Sequence, residues 1–190
     1  NVASLLALSS ENLDGFNFIQ KTPEGYRTVP GNWVVSKTLI IPKNTQLFIS
    51  KGTSLTFENN ATLISYSPIH SVGSSSNPVQ FKSDGTAGGI IVINTESPSS
   101  FRFTQFLGLK NFQIDNWSLT GAVNFYEAGV NFSFCDFADN KGGDDLLNIF
   151  RSSFEINDCT FRNTAADAFD GDFVRGGLAN VTFENIGNDG

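Results

Sequence analysis

The stretch LIIPKNTQLFISKGTSLTFENNATLIS, Leu39 to Ser65, repeats one short apolar segment at a step of eight residues. The positions that recur are Leu39, Leu47, Leu55 and Leu63, followed two residues later by Ile41, Ile49 and Phe57. The residues that favour a turn between these segments are Asn44, Gly52 and Asn60. Alternation within a segment buries one face of an extended chain. The pattern therefore predicts three-residue strands with two inward side chains, each followed by a tight turn.

A second, longer period runs through the C-terminal half of the chain. One tripeptide pattern occurs three times, as Cys135-Asp136-Phe137, Cys159-Thr160-Phe161 and Val181-Thr182-Phe183. The steps between its copies are 24 and 22 residues. Three sides of eight residues make a coil of about 24 residues, so the short and the long period describe the same coil. Stacked coils pair strand on strand at a spacing of about 4.8 Å. The predicted fold is all-β: a parallel β-helix, a three-sided solenoid with about 22–24 residues per coil.

We predict a right-handed solenoid, because coils of this length fit the right-handed form and the sequence lacks the six-residue repeat of left-handed solenoids. An antiparallel sandwich or barrel would also have many short strands, but it would not require side chains to recur at this period. We assign residues 31–190 to the β-helix and residues 1–30 to a cap and lead-in. Within the lead-in, VASLLALSSENL (residues 2–13) has helix-like apolar spacing and predicts a short cap helix over the open sheet edge. The last residues stop within a repeat, which predicts a truncated solenoid whose C-terminal end is covered by further coils, another domain or another chain.

The composition agrees with many short strands and turns, since the 190 residues include 19 Phe, 20 Asn and 18 Gly. The net charge of −7 and the lack of a Lys/Arg cluster argue against a nucleic-acid partner. No apolar run approaches the roughly 20 residues of a membrane span, so no membrane-spanning segment is expected. Cys135 and Cys159 match no zinc spacing. Because they align with Val181, we expect both to stack inward as small apolar side chains, with a disulfide as the alternative. We expect Phe137, Phe161 and Phe183 to form an inner stack beside them.

Two stretches carry a family resemblance. SSNPVQFKSDGTAGGIIV (Ser75 to Val92) resembles the recurring segment of bacterial extracytoplasmic right-handed β-helix proteins, although Ala87 stands where that family often has Trp. DDLLNIFRSSFEINDCTFRNTAADAFDGDFV (Asp144 to Val174) is similar to the Asn-rich repeats of the pectate-lyase-like superfamily. The resemblance implies a secreted or cell-surface protein. It also implies polysaccharide chemistry, although the superfamily includes adhesive and structural modules, and fold alone does not decide function.

Acidic residues of the C-terminal half predict a cation site. Asp145, Asp167 and Asp189 are equally spaced, one coil apart, and are expected to stack. Asp170 and Asp172 have no acidic counterpart in DLLNIFR, and we interpret them as part of a local bulge. Clustered carboxylates can supply the oxygen ligands that calcium prefers, so these five residues are candidate calcium ligands. The alternative is that they cap turns and solvate one face.

Arg151 and Arg175, also spaced by one predicted coil, are candidate catalytic bases. A lyase or epimerase abstracts a proton next to a substrate carboxylate, which requires a base and a cation that neutralises the acid. The alternative is that the two arginines form a ladder that offsets the neighbouring acids.

Other hydrolytic chemistries have weaker support. Glycoside hydrolysis requires two carboxyl groups facing each other. Asp144-Asp145, with Asp167 or Asp170, could provide them, but the accompanying motifs of polygalacturonase-like enzymes are not found. The single histidine, His70, is predicted to lie in a loop and gives no support for Ser-His-Asp catalysis.

The sequence therefore predicts an extracytoplasmic β-helix module of a larger bacterial protein. Such a module would act as a scaffold or as a surface that contacts polysaccharide or another protein, since an elongated stacked face suits repeating ligands. The alternative is a polysaccharide lyase or epimerase that acts on uronate-containing polymers, with bound calcium.

Overall fold

In the computed structural model, which describes residues 13–86, 88–114 and 117–189, the chain winds through three parallel sheets. Each of about six turns adds one strand to every sheet, so the predicted all-β, three-sided parallel β-helix is confirmed. The right-handed sense stays a prediction. The predicted cap helix falls mainly on residues 1–12, outside the described residues. Leu13 begins a short 3-10 turn, Leu13–Gly15.

The strands fall into three sheets, and within each sheet they follow one another in space in the order of their names. Sheet 1 contains β4 (Leu39–Ile41), β7 (Leu63–Ser65), β10 (Ile90–Ile93), β15 (Gly121–Tyr126), β18 (Asp145–Phe150) and β21 (Asp167–Asp172). Sheet 2 contains β1 (Ile19–Thr22), β2 (Gly25–Thr28), β5 (Leu47–Ile49), β8 (Ile69–Val72), β11 (Ser99–Arg102), β16 (Val130–Ser133), β19 (Ser153–Asn157) and β22 (Arg175–Ala179). Sheet 3 contains β3 (Gly31–Val35), β6 (Thr53–Phe57), β9 (Val79–Ser83), β12 (Thr104–Leu107), β17 (Asp136–Ala138), β20 (Thr160–Arg162) and β23 (Thr182–Glu184).

Two hairpins depart from the parallel pattern. The antiparallel pair β1–β2 joins the N-terminal edge of sheet 2, where β2 pairs in parallel with β5. The second hairpin, β13 (Gln113–Ile114) with β14 (Trp117–Ser118), is inserted between sheets 3 and 1. Phe112 and Leu119 of this insertion pack in a cluster with Ile40, Ile64 and Ile91 on the outer face of sheet 1. The insertion therefore covers the first half of that face.

The eight-residue step corresponds to the three sides of a coil, as predicted. Leu39, Leu47 and Leu55 lie on sheets 1, 2 and 3, and all are buried in the central core. Leu63 then returns to sheet 1 directly beside Leu39. The turn positions have positive φ angles of 61° at Asn44, 76° at Gly52 and 58° at Asn60. These angles explain why the repeat needs Asn or Gly there.

A column of phenylalanines runs through the core on sheet 3. The predicted stack of Phe137, Phe161 and Phe183 is confirmed, with ring centroids 4.5 Å apart for the first pair and 5.3 Å for the second. It extends downward through Phe106, 4.6 Å from Phe137, to Phe81, 5.5 Å from Phe106. Nearly parallel rings in consecutive coils bury large apolar surfaces against each other. The predicted inward position of the cysteines is confirmed too, since Cys135 and Cys159 are buried and free.

Single left-handed residues turn the chain from one sheet to the next. They follow the strands directly, as at Asn94 after β10 and Asn163 after β20. The Asn163 Nδ2 atom donates to Asp139 Oδ1 of the coil below at 3.0 Å, and Asn185 Nδ2 donates to Asn163 Oδ1 at 3.1 Å. Asn tolerates positive φ and its amide can both donate and accept, so it suits a stacked corner. This explains the Asn-rich composition.

Removing one ring from the inner column should destabilise the protein strongly. Phe137 is fully buried between Phe106 and Phe161. We expect Phe137→Ala to lower the free energy of unfolding by about 3–5 kcal/mol, measured by urea denaturation. Phe173→Ala is the matched control, because that ring is 79% exposed, and it should change stability by only about 0.5 kcal/mol. A cost below about 1 kcal/mol for Phe137→Ala would show that the column is not part of the core.

Candidate functional site

The outer face of sheet 1 changes character along the solenoid. Its middle row begins with Ile40, Ile64 and Ile91, which lie under the hairpin insertion. In register, the same row continues as Asn124, Asn148 and Asp170 on β15, β18 and β21. The next outer row, nearer sheet 2, contains Ile93, Tyr126, Phe150 and Asp172. An apolar, covered half is thus followed by a polar and aromatic half.

Aromatic side chains and an arginine follow the corner between sheets 1 and 2; we call Tyr126, Phe150, Arg151 and Phe173 the corner stripe. The Tyr126 and Phe150 ring centroids are 5.3 Å apart, and those of Phe150 and Phe173 are 5.8 Å apart. The Arg151 guanidinium lies 5.1 Å from the Phe150 centroid and 5.9 Å from that of Phe173. Phe173 is 79% exposed, and it belongs to the last described coil, where Phe183 of the inner column is also 38% exposed.

Part of the corner stripe occupies backbone positions that do not suit its residue types. Nine of the fourteen non-glycine residues with positive φ in the described part of the chain are Asn or Asp. The other five are Phe103, Glu127, Phe134, Arg151 and Phe173. A bulky residue in this conformation is strained by about 1 kcal/mol or more. Because strain of this kind often accompanies functional positions, these five residues are candidates for a role other than the turn.

The five strained residues lie at two corners. Glu127, Arg151 and Phe173 belong to consecutive coils at the corner between sheets 1 and 2. Phe103 and Phe134 lie at the corner between sheets 2 and 3, with ring centroids 4.9 Å apart. Phe134 is 44% exposed, and it resembles Phe173 in residue type and backbone conformation. The second corner therefore offers a matched comparison for the first.

A polar network borders the corner stripe on the outer face of sheet 1. Asn148 Nδ2 donates to Asp145 Oδ2 at 3.3 Å and to Asp170 Oδ2 at 3.1 Å, and so bridges the two carboxylates. Asp145 is only 2% exposed. Burial raises the pKa of the Asp145 carboxyl, and the charges of Asp170 and Asp144 raise it further, although a hydrogen bond from Thr120 opposes the shift. The pKa of Tyr126 is raised by burial first, and then by Asp145, Asp172 and Asp170.

The predicted calcium ligands do not form one compact group. Asp145 and Asp167 are in register as predicted, but Asp167 Oδ1 accepts hydrogen bonds from Asn188 Nδ2 at 2.8 Å and from the Asp189 backbone N–H at 3.0 Å. Within residues 13–86, 88–114 and 117–189, no three His, Cys, Asp or Glu side chains are arranged to hold a metal ion. Asp167 thus acts as a turn cap, and calcium stays a prediction from the sequence.

The predicted bulge around Asp170 and Asp172 was wrong. These residues pair directly with Asn148 and Phe150. From the pair Asp145–Asp167 to the pair Phe150–Asp172, β21 contains no extra residue relative to β18. The two acids replace an amide and an aromatic ring of the coil below, so they are substitutions within a regular strand.

The alternative interpretation of Arg151 and Arg175, a stacked ladder, was wrong. Because Phe150 pairs with Asp172, the residue that lies one coil after Arg151 is Phe173. Arg151 follows β18 at the position that Phe173 holds after β21. Arg175 pairs with Ser153 on sheet 2, where it lines a shallow groove of about 360 Å³ with Asn131 and Glu155. The two candidate bases therefore do not stack on each other.

His70 does not lie in a loop as predicted, because it belongs to β8 of sheet 2. Its Nδ1 atom is 2.9 Å from Ser100 Oγ, and its ring stacks on Phe48 with centroids 5.3 Å apart. Burial lowers the pKa of His70. The contact with Ser100 links residues 30 positions apart, a step longer than the predicted repeat, so the sequence period did not reveal it.

A groove of about 430 Å³ was also missed by the sequence analysis. It lies at the corner between sheets 1 and 2 in the first three coils, and its lining includes Glu24, Lys43, Tyr66 and Glu96. Tyr66 packs in the same outer cluster as Tyr126 of the corner stripe. The residues of this groove come from turns of separate coils, which have no common sequence pattern.

Comparison of the chain with protein-family models, curated proteins and solved structures finds no match in any of the three. The resemblance to the pectate-lyase-like superfamily therefore stays a prediction, whereas the parallel β-solenoid is observed. Within the described part of the chain, no helix has the length and apolar character needed to cross a membrane.

Replacing the buried acid should stabilise the protein in a pH-dependent way. The raised pKa of Asp145 means that folding favours the protonated carboxyl, so its contribution to stability is greatest at low pH and is lost as pH rises through the folded-state pKa. Asp145→Asn removes this ionisation and should raise the melting temperature at neutral pH, with no gain at about pH 3, where the acid is protonated in both states. Melting curves from pH 3 to 8 measure the difference. An equal effect at every pH would show that burial does not perturb this acid.

Proposed function

We propose that the chain is a polysaccharide-binding β-helix module, and that the sugar chain lies along the corner stripe, parallel to the solenoid axis. The observation that carries this proposal is the contact of the Tyr126, Phe150 and Phe173 rings along one corner, with Phe173 held at a left-handed position. An Asn would suit that backbone better and would continue the corner pattern used elsewhere. The aromatic ring is retained against the conformational preference of its position, which favours a binding role.

The spacing of the corner stripe suits a polymer. Tyr126, Phe150 and Phe173 belong to three successive coils, which rise by about 4.8 Å each. That rise is comparable to the length of one sugar unit in an extended chain, so successive rings can contact successive units. The C–H groups on one face of a sugar ring are slightly positive and pack on the negative face of an aromatic ring. Asp172, Glu127 and Arg151 lie beside the rings and can bond to sugar hydroxyls.

The module acts as a rigid surface within a larger extracytoplasmic protein. The stacked coils hold the binding side chains at fixed intervals, so little conformational entropy is lost when a repeating ligand binds. The secreted or cell-surface location and the bacterial source follow from the sequence resemblance. The alternative prediction, a lyase or epimerase acting on uronate polymers, gains no support from the register, in which Arg151 and Arg175 do not stack.

Exchanging the exposed ring for Asn separates binding from folding. Phe173→Asn should weaken polysaccharide retention in affinity gel electrophoresis by about fivefold or more, since a well-placed aromatic contact contributes about 1 kcal/mol or more. Its stability should be unchanged or slightly higher, because Asn tolerates the positive φ of 55°. A panel of β-glucans, xylans, mannans and galacturonans provides the ligands.

Phe134→Asn is the matched control, because Phe134 is also an exposed phenylalanine with a positive φ, here 53°, at the other corner. We expect this variant to bind as the unmodified protein does. The proposal fails if no polysaccharide of the panel retards the protein, or if Phe173→Asn and Phe134→Asn have equal effects.

A further inference from the structure

The charges beside the corner stripe are predominantly negative, and this bears on the class of polysaccharide. Asp172 lies directly beside Phe150 in the outer row and is exposed. Asp170 occupies the neighbouring row and receives a hydrogen bond from Asn148. Both carboxylates therefore border the path that the proposed ligand follows over the rings.

The positive charge of the corner stripe is already opposed. Arg151 Nη1 lies 3.8 Å from Glu127 Oε1, and both side chains are more than half exposed. The same guanidinium also rests near the rings of Phe150 and Phe173. Arg151 thus balances Glu127. Arg175, two residues after Phe173 at the start of β22, adds one positive charge against the two carboxylates of Asp170 and Asp172, so the surface stays net negative. The pKa of Tyr126, which the charges of Asp145, Asp172 and Asp170 raise in addition to burial, agrees with a negative local potential.

A uronate polymer would bring about one carboxylate to each coil, because the repeat of the sugar chain and the rise per coil are similar. Two negative charges about 4 Å apart repel by about 1 kcal/mol in water, and more where water is partly excluded. One such contact lowers affinity by about fivefold. The hydroxyl groups of an uncharged sugar would instead donate hydrogen bonds to the same carboxylates, and charge-assisted bonds of this kind are stronger than neutral ones.

We infer that the ligand of the corner stripe is an uncharged polysaccharide and not a uronate polymer. The exposed rings supply the contact with sugar faces, and Asp170 and Asp172 accept hydrogen bonds from hydroxyl groups. This inference rests on the proposed polysaccharide-binding function and specifies its ligand class.

Pairs of polymers that share a backbone and differ in charge test the inference. The probes are hydroxyethyl against carboxymethyl cellulose, unsubstituted xylan against glucuronoxylan, and methyl-esterified galacturonan against its de-esterified form. For every backbone that is retained, we expect the charged polymer to bind at least about fivefold more weakly at low salt. The difference should shrink as salt is added, because screening weakens repulsion between exposed charges.

Two variants connect the effect to this surface. Asp172→Asn should reduce the discrimination against the charged polymer, because it removes an exposed negative charge beside Phe150. Asp158→Asn is the matched control, since it makes the same charge change at the corner between sheets 2 and 3, where Asn tolerates the positive φ of 54°. It should leave the discrimination unchanged.

The possible failures are distinguishable. Equal or tighter binding of the charged polymers, with loss of binding in Phe173→Asn, would overturn the inference about charge and leave the proposed function intact. Equal effects of Asp172→Asn and Asp158→Asn would show that overall charge, and not this surface, sets the preference, and would also overturn it. Lack of binding to any polymer would overturn the proposed function and the inference together.

Discussion

In-register pairing of parallel strands is the constraint on which the whole molecule depends. Each strand bonds to its counterparts in the coils above and below, so a given position in the coil recurs one coil later at the same place on the surface. Inside the solenoid, this brings like side chains together, as with Phe137 and Phe161 at 4.5 Å. Outside, the same geometry aligns Tyr126, Phe150 and Asp172 in one row, with Phe173 at the corner position next to that row. A regular core and a regular binding surface are thus consequences of one ladder.

The corners impose the second constraint, because from β10 onward a left-handed residue directly follows each strand of the three sheets. Asn163 and Asn185 meet this requirement and also bond from coil to coil, so structure alone explains them. Arg151 and Phe173 occupy equivalent positions without the conformational tolerance of Asn. Their backbone strain is small beside the burial energy of the core, so the fold can accommodate it. The solenoid can therefore exchange corner residues for functional ones while its interior stays unchanged.

The difference between a repeated interior and a variable exterior explains which features could be predicted from the sequence. Leu39, Leu63 and the inner Phe residues had to recur, because each coil must fill the same interior, and their periods predicted the fold. The outer rows are under no such requirement, so Asn148 is followed by Asp170 and Phe150 by Asp172. The interpretation of these acids as a bulge, and of Arg151 as the partner of Arg175, went wrong because a small difference in coil length cannot be assigned to a loop or a strand without the register. The contact of His70 with Ser100 was hidden for the same reason.

The hairpin insertion also shapes the surface. Phe112 and Leu119 cover Ile40, Ile64 and Ile91, which removes an apolar patch that would otherwise be exposed on sheet 1. Beyond the insertion, the same row continues with Asn124 and Asn148, whose side chains are also buried. At the adjacent corner, the rings of the corner stripe stand beside carboxylates and amides. A surface that mixes apolar ring faces with hydrogen-bond acceptors suits an amphipathic ligand, such as a sugar chain, better than a purely apolar one.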